Sequence, residues 1–157
     1  MKPSSPLLLL SLGFLVSGCS DETILRSDKP LTRAAATREL IDFPFPASAH
    51  SIHYLMQSGG WQDLEAYVRF DVDPRDLDSS VDALVVWNNR QMTRTLTYPR
   101  VPLSAADMPT PRRAFLPMPW WDPETIATGY YKGHLDGYAL RIIADQARSR
   151  IYVYQND

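Results

Sequence analysis

The sequence predicts an α+β domain: a small antiparallel sheet with one main helix packed on a face, in the order ββα(β)βββ. Three observations lead there. Leu64, Ala66, Val68, Phe70 and Val72 alternate with Glu65, Tyr67, Arg69 and Asp71, the period of a strand with one apolar face. Asp73-Pro74 then breaks that strand and opens a run with Leu77, Val81, Leu84 and Val85 at helical spacing. Finally, three short apolar segments separated by turn residues fill the last thirty positions, the pattern of a β meander.

The first residues have a different character. Met1 to Pro6 is polar, with Lys2 beside the amino terminus, and Leu7 to Val16 is almost wholly apolar. Ten helical residues rise roughly 15 Å, about half the hydrocarbon thickness of a bilayer, so this stretch is too short to span one. A basic start and a short apolar middle are the marks of an export signal. Small residues, Ser17 and Gly18, then lead into Cys19.

Val16-Ser17-Gly18-Cys19 resembles the lipobox of bacterial lipoproteins. The resemblance implies cleavage before Cys19, a diacylglycerol on its thiol and acylation of the new amine. It covers the export segment alone and carries no fold. Cysteine usage agrees with it. Cys19 is the only cysteine, so no internal disulfide can form, and left free it would be an exposed thiol in an oxidising space. Ser20 follows the anchor, where an aspartate often marks inner-membrane retention in that class. The expected location is therefore the outer membrane, facing the periplasm.

The expected organisation is a signal peptide at 1–18, a lipidated N-terminus and tether at 19–42, and a single α+β domain at 43–157. Ser20 to Arg38 is polar and mixed in charge with no strong hydrophobic period, which reads as a tether. Ala34 to Leu40 has room for a helical turn. Phe43-Pro44-Phe45-Pro46 enters the domain extended, because each proline biases its predecessor away from helix. Ile52 to Gln57 reads as a strand, and Ser58-Gly59-Gly60 as the turn into the alternating strand. Asp73 is expected to cap the helix, with Pro74 at its first position and Asp76 and Asp78 at its positive end. Met92 to Tyr98 is an ambiguous further strand. A proline-rich connection at 99–123, with seven prolines, should be largely irregular, and Asp122-Pro123-Glu124 repeats the capping pattern before a short helix. Strands at Gly129–Lys132, Tyr138–Ala144 and Arg150–Gln155 complete the chain.

Charge excludes one class of partner. Net charge is −2, and losing Lys2 with the signal makes it about −3, with no basic face or tail, so nucleic acid is not an expected partner. Candidate chemistry is sparse. The acids from Asp71 to Asp82 lack the glycine and glutamate of a calcium loop and are explained by a strand end and a helix start. His50 and His53 fall on opposite sides of an extended segment, and His134 lies in a turn. No nucleophile elbow or phosphate-binding glycine loop appears. Asp63 and Glu65 share a strand face but belong to its polar side. No metal or cofactor, and no catalytic residue, is expected.

Aromatic residues are the most suggestive feature. Trp120, Trp121, Tyr130 and Tyr131 crowd the last quarter with Tyr152 and Tyr154. Two readings stay open: a partner surface, since interfaces are rich in such side chains, or a second core under the proline-rich segment. The expected function is a membrane-anchored, non-catalytic protein-binding lipoprotein, in a narrower form an immunity protein. The alternatives are an envelope-assembly factor that binds glycan or lipid, and an unrecognised hydrolase.

Overall fold

The computed structural model describes residues 23–59, 62–91, 95–103, 118–133 and 140–156. In order they form β1 (Thr23–Arg26), α1 (Arg33–Glu39), β2 (His50–Gly59), β3 (Gln62–Asp71), a 3-10 turn at Pro74–Asp76 and α2 (Leu77–Gln91). These are followed by β4 (Arg100–Pro102), a second 3-10 turn at Pro123–Thr125, β5 (Gly129–Gly133), β6 (Arg141–Asp145) and β7 (Arg150–Asn156). All seven strands make one sheet in the order β1-β2-β3-β7-β6-β5-β4, each pair antiparallel. The N-terminal hairpin and the C-terminal meander therefore meet where β3 pairs with β7, from Glu65↔Asn156 to Asp71↔Arg150.

α2 covers one face of this sheet, as the sequence predicts. Leu77, Val81 and Leu84 pack there with Ile52, Tyr54, Val68, Phe70, Ile142, Ile151 and Val153. Burying side chains of this size stabilises the fold by about 1.5–3 kcal/mol each. Asp73 does stand before the first turn, yet its side chain makes no capping bond. The backbone carbonyl of Asp76 instead accepts from Ser79 and Ser80, and its carboxylate accepts from Ser48 at 2.6 Å. The ambiguous strand is displaced as well. Residues 95–99 form none, and β4 begins at Arg100, inside the proline-rich connection. Pro102 is tolerated because β4 is an edge strand, where a missing amide leaves no ladder bond unmade.

Two expectations are corrected. Residues 23 to 40 are not a tether. β1 pairs with β2 from Thr23↔Ser58 to Arg26↔Leu55, and Leu31 and Ile52 exchange backbone bonds of 2.8 and 3.1 Å. Thr32 caps α1 through its hydroxyl, and Ala36 and Leu40 enter the main core. Nor does β3 have a solvated polar face. The sheet's second face carries Leu55, Tyr67, Ile143, Tyr152 and Tyr154, and the segment from Met118 to Ile126 closes over them. The tyrosines suit that place because their rings bury while their hydroxyls reach carboxylates.

Candidate functional site

The aromatic residues singled out by the sequence divide between the two faces. Tyr130 and Tyr131 are neighbours on β5 and so point to opposite sides of the sheet. Tyr130 lies on the α2 side, where its hydroxyl donates to Asp78 at 2.6 Å and the Arg100 guanidinium sits 3.6 Å from its ring centre. Tyr131 belongs to the second core. Trp121 is 7% exposed and meets Tyr67, Trp120 and Tyr152 edge-on, with ring centres 5.0, 5.9 and 5.4 Å apart. Trp120 keeps partial exposure, stacked on His53 at 5.4 Å. The proposed partner surface of Trp120, Trp121, Tyr130 and Tyr131 is thus corrected: three of the four are core. Cys19 lies outside the described residues.

Charged groups on the second face hold that core in place. Asp122 accepts from Tyr152 at 2.7 Å, while Arg69 donates to the Trp120 carbonyl at 2.7 Å and stands 3.7 Å from Asp122. Glu65 accepts from Tyr67 at 2.8 Å and from Tyr154 at 3.2 Å, and burial with this carboxylate raises the Tyr67 phenol well above its ordinary range. Arg150 spans both oxygens of Asp71 at 2.6 and 3.2 Å. The acids of the suspected calcium loop are likewise dispersed. Asp73 faces Arg75, Asp78 faces Tyr130 and Arg100, and Asp82 faces Lys132. His50 is exposed while His53 is buried, and His134 and the Asp63 side chain lie outside the described residues.

The site that sequence reasoning missed is a groove of about 390 Å³ on the α2 face. Register builds its floor. Leu25, Met56, Ala66 and Gln155 stand side by side across β1, β2, β3 and β7, and Val68 beside Val153 forms the next row. Four strands span three spacings, about 14 Å. Trp87 and Gln91, from the last turns of α2, and the chain from Glu39 to Phe43 supply the walls. Phe43 meets Trp87 at a tilt, with ring centres 5.4 Å apart, closing part of the space between them. At the rim Leu25 and Ile41 are 48% and 77% exposed.

The lining is mainly apolar, with the carboxylates of Glu39 and Asp42 and the amides of Gln91 and Gln155 among it, a composition found in small-molecule sites. The Trp87 indole N–H is buried without an acceptor among the described residues, at a cost of about 1–3 kcal/mol. Glu39 accepts from the Tyr54 hydroxyl, which burial and this carboxylate push up to about 12. One signal was present in the sequence. Trp87 and Gln91 continue the Leu84 stripe at i+3 and i+7, beyond the positions that the sheet covers. A second cavity, about 250 Å³, lies between Arg26–Asp28, Tyr54-Leu55 and Met118–Trp120. Compared with protein-family models, curated proteins and solved structures, the chain matches none of them.

Proposed function

We propose that this chain is an envelope lipoprotein, held by lipid on Cys19 at the outer membrane and facing the periplasm, whose domain is a non-catalytic binding module acting through the apolar groove. The observation that carries the binding reading is the groove itself: a row of side chains from four strands, walled by Trp87 and Phe43, with a large exposed apolar rim. Its volume falls within the roughly 300–1,000 Å³ of small-ligand sites. On the other face the carboxylates of Glu65 and Asp122 accept hydrogen bonds from the core tyrosines, Glu65 from Tyr67 and Tyr154 and Asp122 from Tyr152. The anchoring reading rests on Val16-Ser17-Gly18-Cys19.

Anchoring is tested by Cys19→Ser. The variant should lose incorporation of labelled fatty acid and accumulate as unprocessed or soluble protein. A wild-type chain that takes up no label, together with a variant that still fractionates with membrane, would refute the proposal.

A further inference from the structure

We infer that the groove takes a single acyl chain of a phospholipid from the bilayer to which the protein is anchored, an inference that rests on lipid attachment at Cys19. Chain length supplies the argument. Leu25 lines the groove and lies six residues after Cys19, a reach of at most about 20 Å even when fully extended. With Cys19 in the bilayer, this side of the groove lies within that reach of the membrane surface.

Shape agrees with that occupant. The floor crosses β1, β2, β3 and β7, so the groove is an elongated slot that reaches the edge strand nearest the anchor. Its lining from Leu25, Leu40, Ile41, Met56, Val68 and Val153 offers apolar surface along the slot. Leu25 and Ile41 are two of the large apolar side chains left exposed, and both stand at this rim. An exposed apolar rim is a cost in water and a contact at a bilayer interface. A chain from the bilayer has only to leave its neighbours.

The experiment uses the full mature chain, purified with its lipid and reconstituted into phosphatidylethanolamine–phosphatidylglycerol vesicles. These contain a trace of phosphatidylethanolamine with a photoreactive diazirine at the end of one acyl chain. After irradiation, mass spectrometry should place adducts on Met56 or Trp87, which line the slot and keep partial exposure. Ala66→Phe, which fills the floor, and Ile41→Asp, which charges the rim, should each reduce these adducts at least fivefold. Val86→Asp, an exposed α2 position outside the groove, should leave them unchanged. Should Ala66→Phe fail to fold, Ile41→Asp at its exposed site carries the same test. Adducts confined to the outer surface of a chain whose Cys19 is lipidated overturn the inference and leave the anchoring proposal standing. A Cys19 without lipid overturns both.

Discussion

His53 shows what a single buried group contributes. It sits on β2 beneath Trp120, and its Nδ1 is buried without a partner among the described residues. Burial first, and then the Arg69 guanidinium, hold its imidazole below the ordinary value of 6.5. The unfolded chain thus takes up the proton before the folded chain does. The stability contributed by neutral His53 is complete above about pH 6.5 and is lost as pH falls through the lowered folded value. Wild-type protein should accordingly show a lower urea midpoint at pH 5 than at pH 7. His53→Phe keeps a ring under Trp120 without the titrating nitrogen, and it should flatten that difference over the same interval. An equal slope in both proteins would show that the acid sensitivity lies elsewhere. The same second face explains the fate of the tryptophans. Trp121 is surrounded by rings and Trp120 is fixed through its own carbonyl by Arg69, so neighbouring residues in sequence have different exposure.

At the scale of elements, the sequence conceals β1 and shows α1 only as a helical turn at Ala34 to Leu40, and the physical reasons differ. β1 is four residues long and exposed throughout, so it has no period to detect. α1 is seven residues long and buries Ala36 alone, so no apolar stripe marks it. Its place in the fold makes a direct test. Ala36→Asp forces a carboxylate into a position with 0% exposure and should lower unfolding free energy by several kcal/mol. Thr32→Ala, which removes the cap, should cost about 1 kcal/mol, and Ala34→Asp on the exposed side should be nearly silent. Chemical denaturation reads all three, and a silent Ala36→Asp would restore the tether reading. The legible elements are those whose burial is periodic. Val68, Phe70 and Val72 alternate over the α2 face, and Leu77, Val81 and Leu84 repeat at helical spacing, so hairpin, helix and meander follow from pattern. The second core is ambiguous because Tyr152 and Tyr154 on one side of β7 are as bulky as Ile151 and Val153 on the other. Tyrosines tolerate either environment, and only the covering segment decides between them. The groove draws residues from Leu25 to Gln155, and no local window contains it. It becomes visible once strand register places Leu25, Met56, Ala66 and Gln155 in one row.

On the scale of the whole molecule, β1 begins four residues after Cys19, and under the proposed anchoring that changes how the domain would meet the membrane. A tether through residue 42 would let the domain wander and would expose its basic residues to protease. In the structure Arg26 lies within β1, and Arg33 and Arg38 lie within α1, while Lys29 precedes Pro30, a bond that trypsin cuts poorly. Cleavage inside paired backbone requires local opening, and its rate follows the population of the open form. Wild-type protein in vesicles should therefore resist trypsin at all four positions under native conditions. Urea at unfolding concentrations should restore cleavage near the N-terminus. Mass spectrometry of the first products distinguishes the two arrangements, since each N-terminal cut leaves a defined new end. Fragments beginning at Ser27, Ala34 or Glu39 within the earliest minutes would mean that β1 and α1 open freely, and that the domain is not held close to its anchor. Their absence until urea is added would show that β1 and α1 stay closed against β2 and the core, as the acyl-chain inference requires.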